Sequence, residues 1–384
     1  MQLKIDRSNW KKVKLGDVAF EYSKRINNPS DSVYDRFIGS SNIGQWDFRI
    51  KSWESTSSVT SAMKLFEPDD YLLVRRSLYA SDFRERAPRA NFYGVCSGDI
   101  LTIKENKKYI ADGFLIGILN SPALWKYVVA NGSGSITRRI HWKDLANYEF
   151  LLPPKDEQVR LAELLWAMDE VIEKEKEVLE KLEKYLVGID NEYLKVDSNT
   201  PLRKVITKTI NGGTPSTDNK SFYINGTIPW ITTKTINNDY TYVGEKLITL
   251  EAIEKSAAKI LPKGNIIAGT RVGVGKFSIN EVDISFSQDI NGLYVDKEIV
   301  DTEFLVFQLN SNIFQNKIFP LLRGTTIKGI LKDDLLNLNI CLPNLRKQIE
   351  YADKIKRIKK AIKQLLEKKI NSQSLQKSLI NQLF

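Results

Sequence analysis

The chain has 384 residues, 42% of them hydrophobic and 27% charged, with a formal net charge of +10, enough for two or three domains that each bury a core. No apolar run approaches the roughly 18 residues needed to cross a bilayer. The charged start lacks the apolar stretch of a secretory leader, and two distant cysteines, Cys96 and Cys341, speak for a reducing, cytoplasmic setting without a structural metal.

In chain order, residues 1–154 carry 23 Lys/Arg against 17 Asp/Glu. They form a mixed region of short alternating runs such as YLLVRR (71–76), broken by Gly, Asn, Asp and Ser. A helix is expected over FLIGILNSPALWKYVV (114–129). The seam ITRRIHWKDLANYEFLLPPKDEQ (136–158) follows; it holds the only histidine, His141, and ends in prolines. A long helix is expected over 155–197. Its apolar residues Leu161, Leu164, Leu165, Met168, Val171, Ile172, Val178, Leu179, Leu182, Leu186, Ile189 and Tyr193 fall three and four apart, with Glu175 as the one break.

Residues 198–345 repeat the order. NIIAGTRV (265–272) reads as a strand and FLVFQLNSNIFQNKIF (304–319) as a helix, and Pro343 precedes a second long helix over 346–384. Its series Ile355, Ile358, Ile362, Leu365, Leu366, Leu375, Leu379, Leu383 weakens near Lys369–Gln373. The first helix is acidic, 7 Lys/Arg against 12 Asp/Glu over 155–195, and the second basic, 11 against 3 over 346–384. Opposite charge favours pairing of the two helices with each other. A helix of this length spans about 60 Å, so the pair is expected to act as a strut between two heads.

The two halves are one unit written twice. Laying Gly134–Gln158 over Gly324–Gln348 at a constant offset of 190 gives 8 identities in 25 positions: Gly134, Ile140, Asp144, Leu145, Asn147, Leu152, Pro153 and Gln158 recur. Composition alone would give roughly one or two. The same offset pairs CSGDI (96–100) with FSQDI (286–290), and a small shift pairs Arg76 with Arg271. A long-period repeat describes the architecture of the whole chain.

The sequence carries no recognisable catalytic constellation. Leu331 stands where His141 stands in the other copy, so the repeat does not require an imidazole, and a single histidine excludes a His-based triad or multi-His metal site. GTRVGVGKF (269–277) has Thr270 and Phe277 where a phosphate-binding loop needs Gly and Ser/Thr. LLPPK lacks the Asn or Asp before Pro-Pro of an amino-methyltransferase loop. The chain reads as a binder. Two similar heads at a fixed spacing suit double-stranded DNA, whose local two-fold symmetry dimeric readers exploit. Positive charge releases counterions from its phosphates.

At this point the residues resemble a family: the specificity subunits of type I restriction–modification systems. NGGTPSTDNKSFYINGTIPWITTKTI (211–236), GTRVGVGKF, SQDINGLYV and RGTTIKGILKDDLLNLNICLPNLRKQ are similar to signatures of its target recognition domains. DRFIGSSNIGQWDF, DDYLLVRRSL and LLPPKDEQ match more loosely in the first copy. One departure is Arg346-Lys347-Gln348, where the family has an acidic residue before Gln, as Glu157-Gln158 has here.

The resemblance implies an α+β fold. It has a target recognition domain over 1–154, a spacer helix over 155–197, a second recognition domain over 198–345 and a second helix over 346–384, the helices antiparallel and coiled. It implies a non-catalytic subunit reading a bipartite, asymmetric DNA target. Two methyltransferase subunits and, in the full complex, two restriction subunits would be its partners, and S-adenosylmethionine, ATP and Mg are expected on those partners, not on this chain. Exposed apolar residues of the helices such as Trp166 would dock a partner. The alternatives are a coiled-coil scaffold whose heads bind protein, or a specificity subunit of a methylation-only system.

Base edges are read by Arg/Lys, Asn/Gln and Ser/Thr, and phosphates by Lys, Arg and hydroxyls on loops. In the first half these criteria select Ser40, Ser41, Asn42, Gln45, Arg75, Arg76, Arg84, Arg86, Arg138 and Arg139. In the second they select Thr214, Ser216, Thr217, Thr232, Thr233, Lys234, Arg271, Lys276, Gln288, Thr325, Thr326 and Lys328. Arg76 and Arg271 lead, because both copies place an Arg at the end of the same strand. Trp46 and Trp230 are expected in the core.

Overall fold

A computed structural model describes residues 6–77, 84–134, 137–195, 199–236, 239–325 and 328–384. By internal contacts the chain divides into two compact units, Met1–Glu177 with Glu367–Phe384, and Val178–Leu366. The long helices Lys155–Leu194 and Leu345–Leu383 each contribute residues to both.

In the first unit, Ile100–Glu105 is the middle strand of a three-stranded antiparallel sheet, between Ala19–Glu21 and Tyr71–Val74. A five-stranded sheet runs in the order Arg25–Ile26, Met63–Phe66, Gly94–Cys96, Arg36–Ile38, Glu54–Ser55. Lys11–Lys14 pairs with Glu149–Leu152 at the seam. Tyr71–Val74 is buried along its whole length rather than alternating, because the sheet is covered on both faces. The same holds for Ile266–Gly269.

The second unit repeats the plan, its middle strand at the expected offset of 190 and the flanking strands shifted by a few residues. Ile290–Val295 lies between Ile206–Asn211 and Ile266–Gly269, with Phe277–Asn280 and Tyr240–Thr241 extending that sheet. Arg36–Ile38 pairs in parallel with Gly94–Cys96, and Ile228–Ile231 in parallel with Ser285–Phe286. Ile38 lies opposite Cys96, and Ile231 opposite Phe286, 190 residues after Cys96.

The helices expected over 114–129 and 304–319 are each broken in two. Leu115–Leu119 is followed by Pro122–Asn131, and Thr302–Asn310 by Asn312–Ile318. The cause is an N-cap serine in each copy: Ser121 Oγ accepts from Leu124 N at 3.2 Å and Ser311 Oγ from Phe314 N at 3.3 Å. Each serine adopts extended backbone, which restarts the helix and satisfies its first free amides.

The long helices form because their apolar faces are buried with the heads and with each other. In the first unit Leu165 and Ala162 of the first helix share a core with Leu379, Ile380 and Leu383 of the second. In the second unit Ile189 and Leu194 share a core with Tyr351, Ala352, Ile355 and Ile358. The start of one helix packs on the end of the other in the first unit, and the reverse holds in the second, so the pair is antiparallel. The two breaks in the apolar series meet: Ser372 Oγ donates to Glu175 at 3.2 Å and Lys368 Nζ lies 3.6 Å from it. A polar contact of this kind inside an apolar seam specifies register.

Several other charges on these helices turn to the heads. Asp169 and Glu170 pair with Arg49 at 2.6 and 2.9 Å, Glu173 with Lys51 at 2.7 Å, Lys356 with Glu303 at 2.6 Å and Lys359 with Asp239 at 2.7 Å. Trp166 is likewise claimed by its own head. Its ring meets Phe48 edge-on at 5.6 Å and its Nε1 donates to the Gly113 carbonyl at 3.1 Å, so it is not the exposed docking residue expected from the sequence.

Each long helix is anchored at its start by the recurring glutamine. Gln158 Nε2 donates to the Pro153 carbonyl at 2.9 Å, and its Oε1 accepts from Ala111 N at 2.8 Å. Gln348 does the same with Pro343 at 2.7 Å and Asp301 N at 2.8 Å. The second helix is capped by Asn344, which stands where the first copy has Pro154, and its Oδ1 accepts from Lys347 N at 3.1 Å. In the first copy Glu157 instead accepts from Trp10 Nε1 at 3.2 Å. Gln158→Ala strips the partners from two buried backbone groups and is expected to cost about 2 kcal/mol, read as a lowered midpoint in urea unfolding. An unchanged midpoint would refute this anchoring role.

Candidate nucleic-acid interface

The strand-end arginines occupy the same place in both copies. The strand Tyr71–Val74 runs on into Arg76–Ser77, which pairs with Arg138–Arg139, Arg76 opposite Arg139. In the second unit Arg271 is bridged to Gly329, the position 190 residues after Arg139. Main-chain hydrogen bonds repeat pairwise. Arg75 N donates to Asp99 O and Thr270 N to Asp289 O, both at 3.0 Å. Ile140 N donates to Arg75 O at 3.0 Å, and Ile330 N to Thr270 O at 2.9 Å.

The neighbouring loop is also duplicated. Ser133 and Arg139 exchange two main-chain hydrogen bonds, at 2.9 and 2.8 Å, as do Arg323 and Gly329, both at 2.8 Å. Gly134 and Gly324 turn these loops with φ of +116° and +105°. A Cβ on Gly134 would lie 2.1 Å from the Thr137 carbonyl oxygen, so the recurring glycine is required by the turn.

A carboxylate sits under each arginine. Asp99 accepts from Arg76 Nη1 at 2.8 Å and from Arg139 Nε at 3.2 Å, and Asp289 lies 3.9 Å from Arg271 Nε. Neither aspartate is among the residues selected from sequence. The signal was present in CSGDI and FSQDI, where Asp is common to both copies. A search for cations and amides alone passes over it.

The other selected residues separate into groups. Arg75 bonds the Gly98 carbonyl at 3.0 Å, and Arg138 turns inward onto the Gly132 carbonyl at 2.7 Å, capping the end of the helix Pro122–Asn131. Ser40, Ser41 and Asn42 form one 3₁₀ turn, in which Asn42 Oδ1 accepts from Gly39 N at 2.7 Å. Gln45 is exposed and reaches Glu85 at 2.7 Å, beside exposed Arg84 and half-buried Arg86.

In the second unit Thr214 Oγ1 donates to Gln288 Oε1 at 2.6 Å, next to Asp289. Lys276 Nζ reaches the carbonyl of buried Thr233 at 3.2 Å. Thr232 donates to Glu245. Thr214, Gln288 and Arg271 are brought to one edge through Asp289. Ser216, Thr217, Lys234, Thr325 and Lys328 are exposed, and Thr326 lies outside the described residues. Trp230 is buried, with its Nε1 donating to Gly213 O at 3.0 Å, whereas Trp46 is half-buried under Lys377. His141 and Leu331 are both exposed and both precede a short helix as its N-cap.

Residues 200–373 match the family model described as type I restriction modification DNA specificity domain. The type I restriction enzyme MjaIX specificity subunit of Methanocaldococcus jannaschii is 27% identical over 185 residues, 45% of this chain and 42% of that one. That match therefore spans less than half of the relative's length. The MjaVIII specificity subunit of the same organism is 24% identical over 321 residues, 76% of this chain and 73% of the other. The crystal structure of a type I restriction–modification system S subunit from M. genitalium shares the fold. Its TM-score is 0.63 at 12% identity, covering 100% of this chain and 99% of that one.

Proposed function

We propose that this chain, whose residues 200–373 match the family model described as type I restriction modification DNA specificity domain, reads a two-part DNA target, one half with each globular head. The observation that carries this reading is the duplicated edge. In both copies a strand ends in an arginine, Arg76 or Arg271, over an aspartate and beside a glycine-turned loop, the aspartate and the loop recurring at an offset of 190. An arginine fork at the end of a fixed strand matches the O6/N7 edge of guanine, and the hydroxyls and amides around it suit the remaining bases and phosphates. Two copies that have diverged at the edge, Arg139 against Gly329 and Arg75 against Thr270, would prefer different half-sites.

In this reading the chain supplies the address and other subunits the chemistry. Two methyltransferase subunits, with two restriction subunits in the full complex, would act at the site this chain selects, using S-adenosylmethionine, ATP and Mg of their own. The long antiparallel helices would fix the spacing between half-sites.

The test is duplex binding by the full chain as a function of salt. Neutralising several phosphates gives a log–log slope of about −5 or steeper. A slope near zero would overturn DNA recognition and favour heads that bind protein.

A further inference from the structure

A carboxylate is the wrong charge for a surface that meets phosphates, yet both copies keep one at the centre of the edge. Asp99 is held rigidly. Its amide donates to Ser97 Oγ at 3.2 Å, and its carbonyl accepts from Arg75 N at 3.0 Å. Its two carboxylate oxygens are divided between two arginines, Oδ2 to Arg76 and Oδ1 to Arg139. The arginine side chains are 40% and 44% exposed and the aspartate 23%, so the guanidiniums face outward over the carboxylate. In the second head Asp289 is held by the same main-chain bond, to Thr270 N at 3.0 Å. It has one arginine above it, at 3.9 Å, because Gly329 takes the place of Arg139.

An arginine side chain free in solvent has many rotamers, and ordering it on binding opposes recognition. A carboxylate that fixes the guanidinium beforehand removes that cost and aims the fork at one base edge. The same negative charge weakens attraction to phosphates at any sequence. We infer that Asp99, and more weakly Asp289, are positioning residues that raise sequence discrimination while lowering non-specific affinity. This inference rests on the reading of the strand-end arginines as DNA contacts. It also ranks the heads: the first, with two arginines on one carboxylate, depends more on its aspartate.

The experiment compares the full chain with Asp99→Asn and Asp289→Asn on three duplexes. One carries the two-part motif obtained by mapping methylated adenines in a host with the system, and each of the others has one half scrambled. Asn keeps the size and the main-chain bonds while removing the charge. Asp99→Asn is expected to bind scrambled duplex several-fold more tightly and to lose on the order of tenfold in preference for one half only. Asp289→Asn should shift the other half in the same sense and by less.

A merely structural staple would lower affinity for all duplexes together, and that result, or unchanged preference in both variants, overturns the inference. Wild-type chain that binds motif and scrambled duplexes equally would instead overturn the recognition reading on which it rests.

Discussion

Replacing Arg271 with alanine is expected to erase base preference in one half of the target, by on the order of tenfold to a hundredfold, and to leave the other half untouched. The side chain is 58% exposed at the end of the strand Ile266–Gly269, and the main chain beneath it is fixed by bonds from Thr270 and Arg271 to the Asp289 carbonyl, at 3.0 and 3.2 Å. Truncation therefore removes a contact and leaves the edge in place. Lys328→Ala, on the exposed loop beside it, should behave differently, weakening all duplexes alike and reducing the salt slope by about 1. Competition binding with duplexes varied in each half separates the two. Loss of preference in both halves on Arg271→Ala would contradict the assignment of one head to one half-site.

The second large effect concerns stability. Tyr351 is fully buried at the start of the second long helix, its ring 5.4 Å from Phe304 and 5.6 Å from Tyr193, and its hydroxyl donates to Asp190 of the first long helix at 2.8 Å. Tyr351→Ala empties this site and is expected to cost about 4 kcal/mol.

Tyr351→Phe keeps the packing and isolates the carboxylate. Burial holds the Asp190 carboxyl above the usual range, opposed by the Tyr351 hydrogen bond and by Lys359. A carboxyl raised on folding contributes stability that is fully present below its unfolded pKa and is lost as pH rises through its folded pKa. Removing the hydroxyl raises the folded value further. The deficit of Tyr351→Phe relative to wild type should therefore be small near pH 4 and below, and grow to about 2 kcal/mol toward neutral pH. Urea unfolding at both pH values measures it, and an equal deficit at both would rule out Asp190 as the cause.

The architecture was legible in sequence because it is written twice. The constant offset that aligns Gly134–Gln158 with Gly324–Gln348 also aligns the paired loops, the glutamine anchors and one strand of each parallel pair, Cys96 with Phe286, while the other strand is shifted by three more residues, Ile38 to Ile231. Periodicity located both long helices because their apolar seams are long and regular. The internal break at Ser121 and Ser311 was less visible, since a serine within an apolar run reads as helix until its cap geometry is known.

What sequence could not give was direction. Arg138 and Arg139 are adjacent and chemically alike, yet one turns onto the Gly132 carbonyl and the other out over Asp99. Neighbouring strand residues point to opposite faces, and only register decides which. Trp166 looked free to meet a partner because helical spacing does not show what a head folds against it. The helix charges are complementary to each other in sequence, and Lys368 does meet Glu175, whereas Arg49, Lys51 and Glu303 of the heads take four of them.

Selection of a two-part DNA sequence for modification, as proposed above, has a consequence that can be read across a whole genome. Mapping N6-methyladenine across the genome of a host that expresses the system, with the gene intact and deleted, tests it most directly. One motif of two specified halves, separated by a fixed unspecified spacer, is expected to lose its methylation on deletion. An unchanged methylome would contradict it.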